Sequence, residues 1–181
     1  MVYQKETNAF IGPTTVAIFT TGGTIDKCYF DAKSAFCVGD PQITSVMEEA
    51  NITFAYTVES IVRKDSLDLI PADIALICDK VATTTAERIL ITHGTDNLLT
   101  TAKTLKSLHL AQKTIVLIGA MQPRQMRDSD APFNIGYGFA AAQLLPPGVY
   151  VAMNGCIFDP DNAIKNRDKS RFEIASFRGP E

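Results

Sequence analysis

The chain alternates short apolar runs with longer amphipathic runs, and this alternation limits its fold more than any other feature. Continuous or alternating β-branched runs predict buried strands, whereas apolar residues repeated every three or four positions predict helices. Strands are predicted at 15–19, 54–62, 88–91, 114–119 and 149–153. Helices are predicted at 40–50, from 71 onward, at 98–110 and at 133–145. This alternation predicts an α/β fold in which a parallel sheet carries helices on both faces, a three-layer arrangement of the Rossmann or flavodoxin-like kind.

Three local patterns refine this prediction. Asp40-Pro41 offers an N-cap and a proline at the first position of a helix. Asn154-Gly155 is a strong two-residue turn signal, so residues 156–158 are predicted to pair back as a hairpin. The run from Gly136 to Ala141 matches G-x-G-x-x-A but lies within a helical pattern rather than after a strand. We therefore reject a dinucleotide site there.

Length and charge exclude several classes of protein. A chain of 181 residues suits one domain, and we expect residues 1–181 to form a single catalytic domain with no second domain. The net charge of −3 argues against nucleic-acid and membrane-surface partners, which normally require a basic stripe. The densest basic stretch, 165–171, also carries Asp168, and we interpret it as a solvated loop. No apolar run is long enough to span a bilayer.

The N-terminus and the cysteines indicate a cytoplasmic protein. The first ten residues lack the charged and then apolar pattern of a secretory signal. Four cysteines lie far apart in the sequence without CxxC spacing, which favours free thiols in a reducing compartment over a disulfide framework. The chain has only two histidines, too few for most metal sites built on this ligand. We therefore expect no metal.

Polar clusters follow the first four predicted strands. TTGGT follows the first strand, DSLD the second, HGTD the third and GAMQP the fourth. In a sheet of this kind, ligands bind in a crevice beyond the carboxyl ends of the strands. We therefore expect the four clusters to converge on one site.

The TGGT cluster, 21–24, combines hydroxyls with a glycine turn. The two glycines allow a sharp turn and leave backbone amides unobstructed for a substrate oxyanion. A threonine hydroxyl placed there could attack an amide carbon if a neighbouring group removed its proton. Taken alone, a plain glycine turn explains these residues equally well.

The HGTD cluster, 93–96, places a hydroxyl beside a carboxylate. This pair could hold an ammonium group, orient a water or relay a proton. Alternatively, Thr95 or Asp96 could cap the helix that follows, and capping is compatible with catalysis. For His93 we favour a structural role.

Two further polar groups have weaker support. Ser66 in DSLD could bind a substrate carboxylate, although Asp68 fits a turn before Pro71 equally well. Lys165, if it were brought near Thr95 and partly desolvated, would have a lowered pKa and could serve as a base. From the sequence alone, Lys165 is one lysine in a polar loop.

Together these clusters resemble the bacterial-type asparaginase family, whose amino-terminal domain carries TGGTI and HGTD in this order. The resemblance runs from about Val16 to Phe172. Any one motif is modestly specific, but the set in the correct order is very specific. The matching segments are TTGGTI (20–25), DSLD (65–68), ITHGTDNL (91–98), VLIGAMQP (116–123), SDAPFN (129–134) and VYVAMNG (149–155).

The resemblance implies hydrolysis of the side-chain amide of L-asparagine, with L-glutamine as a poorer substrate. Thr24 would be the nucleophile and would form an acyl-enzyme. Thr95, Asp96 and Lys165 would form the second catalytic group. The implied substrate contacts are Gly23 and Ala120 at the reacting amide, and Asp65, Ser66, Thr95 and Asp96 around the α-carboxylate and α-ammonium. The family needs no metal or organic cofactor.

The sequence departs from the family at several positions. Many members have a tyrosine on a mobile loop where this chain has Phe36, which lacks a hydroxyl. We assign the proton-relay role to Tyr29, five residues after Thr24. Leu67 replaces a Gln or Ser that contacts substrate in several relatives. The chain also ends where relatives continue into a second domain that lends residues to a neighbouring subunit, so we expect a looser site with weak affinity.

Two other functions remain open from the sequence. A catalytically weak amino-acid-binding or regulatory protein could keep this domain, although retaining all four catalytic residues disfavours that alternative. The amidase subunit of a tRNA-dependent amidotransferase shares the domain, but the acidic charge and the lack of an RNA-binding segment argue against it. Since relatives assemble into tetramers, we expect a homo-oligomer, a dimer or a tetramer.

Overall fold

The computed structural model describes residues 15–30 and 34–175. Four helices lie within these residues: α1 (Ile43–Glu49), α2 (Pro71–Thr83), α3 (Leu98–Ser107) and α4 (Ala131–Leu144). The strands are β1 (Val16–Gly22), β2 (Lys27–Phe30), β3 (Ala35–Val38), β4 (Tyr56–Lys64), β5 (Arg88–Thr92), β6 (Thr114–Ile118), β7 (Gly148–Met153), β8 (Cys156–Phe158), β9 (Ala163–Asn166) and β10 (Arg171–Ile174). Short 3-10 turns lie at Thr24–Asp26, Ser66–Asp68 and Pro160–Asn162.

One sheet organises the molecule, with the strand order β4-β1-β5-β6-β7-β8. The first five strands in this order are parallel, and β8 turns back antiparallel to β7. The chain goes from β1 to β4 on one side and then crosses to β5 on the other side of β1. A reversal of this kind opens a crevice beyond the carboxyl ends of the two central strands, β1 and β5. The predicted parallel α/β fold is confirmed.

Helices cover both faces of the sheet because successive residues of each strand point to opposite sides. Ala17 and Phe19 of β1 pack with α2 and α3 in one core. Val16 and Ile18 pack with α1 and α4 in the other core. None of the helices in the described part of the chain has both the length and the apolar character that crossing a membrane requires.

Two hairpins were not predicted. β2 and β3 form a separate antiparallel pair in which Cys28 lies opposite Cys37, so these two cysteines are close in space despite their separation in sequence. Both are free thiols. β9 and β10 form a second antiparallel pair. The interpretation of 165–171 as a solvated loop holds for the exposed turn at 167–170, but both ends of the stretch lie in paired strands.

The start of α1 and the end of α3 differ from the prediction. Asp40 does not cap α1, since its carboxylate pairs with Arg63, and the helix begins only at Ile43. α3 ends at Ser107 rather than at 110, and His109 then adopts a φ of 49°. The hairpin at Asn154-Gly155 is confirmed, with φ values of 53° and 72° at its two turn residues.

Candidate active site at the carboxyl ends of the strands

The carboxyl ends of β1 and β5 carry the TGGT and HGTD clusters. TGGT leaves the end of β1, and HGTD leaves the end of β5, its hydrogen-bonded neighbour. DSLD follows β4 on the far side of β1, and GAMQP follows β6 on the far side of β5. The predicted convergence of the four clusters on one edge of the sheet is therefore what the structure shows.

Glycines bring these loops into direct contact. A methyl group added to Gly23 would lie 2.4 Å from the backbone nitrogen of Gly94, and one added to Gly94 would lie 2.5 Å from the hydroxyl of Ser66. A methyl group at Gly119 would meet the side chain of Thr95 at 2.8 Å. Since real Cβ atoms do not approach so closely, only glycine permits this spacing. Gly23 also has a φ of 82°, which favours glycine independently.

The structure brings Lys165 to the HGTD loop. The Lys165 ammonium donates to the Thr95 hydroxyl at 2.7 Å and to Oδ1 of Asp96 at 2.9 Å. Arg167 forms an ion pair with the same oxygen of Asp96 at 2.7 Å. Asp96 therefore does not cap α3, and the cap position is occupied by Asn97. A hydroxyl that accepts from a lysine, itself paired with a carboxylate, is a group that can exchange protons with a bound substrate or water.

Thr24 opens the 3-10 turn that follows β1. Its side chain is half-buried, and its backbone oxygen accepts a hydrogen bond from the amide of Lys27. The preceding Gly23 donates its amide to the backbone oxygen of Lys64 at 3.0 Å. Backbone hydrogen bonds thus fix both sides of this turn, so the position of the Thr24 hydroxyl depends on the turn rather than on a flexible loop.

The DSLD loop supplies a buried hydroxyl and a paired carboxylate. Asp65 forms an ion pair with Lys27 and accepts a hydrogen bond from the amide of Leu67 at 3.1 Å. Burial acts to raise the pKa of Asp65, but the Lys27 ammonium and the backbone amides outweigh it and hold the pKa below its ordinary value. Ser66 is 2% exposed, and its backbone oxygen accepts from the Asn97 side chain.

The GAMQP loop is held by two residues of the SDAPFN motif. Asp130 accepts the amides of Met121 and of Gln122, at 2.9 and 3.0 Å. Asn134 donates to the backbone oxygen of Gly119 at 3.1 Å, and its own oxygen accepts from Asn154 at 3.3 Å. Ala120, which lies within this braced segment, is fully buried. The motif is recognisable in the sequence, but the bracing role of Asp130 and Asn134 becomes evident only in the structure.

Tyr29 lies on β2, three residues beyond the turn that carries Thr24. Its side chain is 53% exposed, and its ring packs edge-on against Phe36 with ring centroids 5.6 Å apart. The two aromatic residues are register partners across the β2–β3 hairpin. Phe36, the position at which the family resemblance implies a tyrosine, is therefore adjacent in space to Tyr29.

His93 has structural partners. Its ring is completely buried, with Nδ1 2.8 Å from the backbone oxygen of Gly94 and Nε2 2.9 Å from the Thr101 hydroxyl. A carbonyl can only accept, so Nδ1 carries the proton and Nε2 accepts from Thr101. Burial lowers the pKa of His93 to about 4. Among residues 15–30 and 34–175, no group of three His, Cys, Asp or Glu side chains could hold a metal ion.

These features define a class: α/β proteins with a doubly wound sheet and a polar site at the strand ends beside the reversal in strand order. Comparison with known proteins identifies the family within this class. The sequence matches the family described as "Asparaginase, N-terminal" over residues 15–180. The chain belongs to this asparaginase family.

Two relatives illustrate the range of the family. Glutaminase-asparaginase of Acinetobacter glutaminasificans is 32% identical over 159 residues, which cover 79% of this chain and 47% of the relative. One of the subunits of a glutamyl-tRNA(Gln) amidotransferase of Methanococcus maripaludis is 31% identical over 147 residues, covering 77% of this chain and 35% of the relative. The chain thus spans less than half the length of these relatives.

Two solved structures show the same fold. The thermostable L-asparaginase from Thermococcus kodakarensis superposes with a TM-score of 0.77 at 26% identity, covering 88% of this chain and 51% of that one. A probable cytoplasmic L-asparaginase from Campylobacter jejuni also gives 0.77 at 26% identity, covering 91% and 54%.

Proposed function

We propose that the chain is an amidohydrolase that converts L-asparagine to L-aspartate and ammonia with Thr24 as the nucleophile. The observation that carries the proposal is the contact of Lys165 with both Thr95 and Asp96 at 2.7 and 2.9 Å, next to the turn that presents Thr24. Membership of the asparaginase family supports the reaction type. A binding protein would not need a second hydroxyl paired with a lysine.

The proposed reaction has two stages. The Thr24 oxygen attacks the side-chain amide carbon, its proton passes to the leaving nitrogen, and ammonia departs to leave a Thr24 ester. Water then attacks the ester, which releases aspartate and restores the hydroxyl. In this scheme Thr95 orients the attacking group, while Lys165 and Asp96 adjust its proton. Because the Gly23 amide is already donated to Lys64, a backbone amide beyond Gly23 in the same turn stabilises the negative charge that develops on the amide oxygen.

The remaining contacts orient the substrate. The Ser66 hydroxyl holds the α-carboxylate, and the Thr95–Asp96 pair holds the α-ammonium. The Ala120 carbonyl accepts from the reacting amide. Asp65 supports this set through its ion pair with Lys27, which anchors the DSLD loop to β2. Glutamine carries one more methylene, and a pocket rejects one methylene by only about 10- to 200-fold, so we expect it to be the poorer substrate.

Ammonia release from L-asparagine, L-glutamine and D-asparagine tests the proposal. Thr24→Ala and Thr95→Ala are each expected to reduce release from L-asparagine to background, while Thr24→Ser keeps a hydroxyl and retains measurable activity. Thr104→Ala is the matched control, because its hydroxyl is exposed on α3 and bonds only to the helix backbone at Thr100. Full activity in the Thr24→Ala variant would rule out the proposed nucleophile.

Tyr29 is proposed as the proton relay, because it is the hydroxyl that stands next to Phe36 on the hairpin. Tyr29→Phe removes only the hydroxyl and is expected to lower kcat by roughly 100-fold, the lower end of the effect of general acid–base groups. Phe36→Leu removes the ring that packs on Tyr29 but retains the Tyr29 hydroxyl, so kcat should fall much less in this variant. Equal losses in the two variants would assign the effect to hairpin packing.

The same measurements separate the two other functions. If asparagine binds by calorimetry but no ammonia appears, the chain is an amino-acid-binding or regulatory protein. The exposed ring of Phe36, where many relatives carry a hydroxyl, is the observation that favours this alternative. If glutamine is turned over and asparagine is not, the chain functions like the amidotransferase to which it is similar.

We also propose a cytoplasmic homo-oligomer, a dimer or a tetramer. The free thiols of the four cysteines support the location. The outer face of α4 supports self-association, since Phe133 and Leu144 are 61% and 69% exposed and Ala140 lies exposed between them. Light scattering of the wild type and of Phe133→Ser measures the subunit number, and a wild-type monomer would contradict the proposal. Cell fractionation tests the location.

A further inference from the structure

Asp96 carries two cations on one oxygen. Lys165 and Arg167 both form ion pairs with Oδ1, with nitrogen–oxygen distances of 2.9 and 2.7 Å. The Asp96 and Lys165 side chains are 20% and 16% exposed, whereas Arg167 is 68% exposed. Two positive charges therefore lie beside the single negative charge of this carboxylate. Arg167, the more exposed cation, is the more easily displaced of the two.

The hairpin contains two acids, Asp168 in its turn and Glu173 on β10, and Glu173 does not offset this excess. Glu173 on β10 is already occupied by the Asn166 amide, by Lys169 and by Arg171. Lys169 lies 3.6 Å from Glu173, so its charge is directed to that carboxylate and not to Asp96. Arg167 is thus the residue of the β9–β10 turn that acts on Asp96.

We propose that Arg167 competes with the substrate's α-ammonium for Asp96 and thereby sets the site's selectivity. The substrate class that follows is the small dicarboxylic monoamides, including those that lack a free α-ammonium, such as succinamate. An incoming ammonium must displace the guanidinium or bind beside two cations, whereas succinamate makes no such demand. This inference rests on the proposed function, because that function assigns the α-ammonium to Asp96.

The test compares L-asparagine with succinamate, which differs only by the α-amino group. Arg167→Gln is expected to raise the ratio of kcat/KM for asparagine to kcat/KM for succinamate by about two- to fivefold, the range of an exposed ion pair. The rise should come from a lower KM for asparagine and should diminish at high salt, which screens exposed charges. Lys169→Gln removes the same charge two residues away and should leave the ratio unchanged.

Binding provides a second measurement that does not depend on turnover. Calorimetry of L-aspartate and succinate gives a ratio of Kd values for ligands with and without the α-ammonium. Arg167→Gln should shift this ratio toward L-aspartate, and Lys169→Gln should not.

The outcomes distinguish the two proposals. Ammonia release with an unchanged ratio in Arg167→Gln overturns the role of Arg167 alone. A shifted binding ratio without ammonia release overturns the proposed reaction and supports the role of Arg167. A protein that binds neither ligand and releases no ammonia contradicts both.

Discussion

Two buried titratable groups, Asp26 and His93, should oppose each other in the pH dependence of stability. Asp26 is 1% exposed, and burial raises its pKa from 3.8 to about 6 against the opposing effect of the Gln42 amide at 2.8 Å. His93 is fully buried, and burial lowers its pKa from 6.5 to about 4. Neither residue perturbs the pKa of the other, so the two contributions add.

The direction of each effect follows from the pH at which the folded and the unfolded chain take up the proton. The unfolded chain ionises Asp26 near pH 3.8 and the folded protein only near pH 6, so the free energy of unfolding falls as the pH rises between these values. For His93 the unfolded chain takes up a proton near pH 6.5 and the folded protein only near 4, so the free energy of unfolding falls as the pH drops through that interval. Each contribution is about 3 kcal/mol, at roughly 1.4 kcal/mol for each pH unit between the two pKa values. Between pH 4 and 6 they nearly cancel.

Single substitutions should reveal how much each group contributes to the slope of the free energy of unfolding against pH. Asp26→Asn keeps the oxygen that accepts from the Gln42 amide. When the pH falls from 7 to 4, the free energy of unfolding of this variant should fall by about 3 kcal/mol more than that of the wild type. Over the same interval, the free energy of unfolding of His93→Gln should rise by about 3 kcal/mol relative to that of the wild type. The double variant should have the wild-type slope. Urea unfolding followed by far-ultraviolet circular dichroism measures this, since the chain contains no tryptophan.

Slopes are compared rather than absolute stabilities, so the loss of packing in either variant does not affect the conclusion. All other titrating groups are common to the four proteins. If both single variants follow the wild-type slope, burial does not exclude charge at these two positions. The reasoning from burial to pKa would then be refuted.

Three further predictions concern the glycine contacts and the brace of the site. Gly94→Ala places a methyl group 2.5 Å from the Ser66 hydroxyl, so kcat/KM for asparagine should fall at least about tenfold, as steady-state kinetics would measure. The methyl group added by Gly136→Ala on α4 meets nothing within 4 Å. Thermal unfolding should show that the free energy of unfolding rises by about 0.5–1 kcal/mol, with unchanged activity. Asn134→Ala leaves the Gly119 carbonyl without its buried donor, so urea unfolding should show a loss of about 1–3 kcal/mol.

The sequence predicted the central sheet because its strands are buried and apolar. β5 and β6 are runs in which nearly every residue is buried, and such runs stand out from a single sequence. The β2–β3 and β9–β10 hairpins escaped prediction because their short strands are largely exposed and carry no regular apolar alternation. Their pairing depends on tertiary context rather than on local pattern.

The site was predictable to the extent that its residues directly follow strands. Thr24 and Thr95 could be located because each lies in a strand-end cluster. The approach of Lys165 to Thr95 joins residues 70 positions apart, and it rests on a hairpin that the sequence did not reveal. Arg167 appeared only as part of a basic stretch, since nothing in the sequence says which acid an exposed arginine will meet.

The stacked glycine contacts have a consequence for how this site can change during evolution. A side chain added at Gly23 would overlap the Gly94 backbone, one added at Gly94 would overlap Ser66, and one added at Gly119 would overlap Thr95. A substitution that displaces one loop must therefore displace its neighbour, and a lineage cannot widen the crevice one loop at a time. New substrate preferences should arise first on the side formed by the β9–β10 hairpin, where Arg167 can change without disturbing the packed loops.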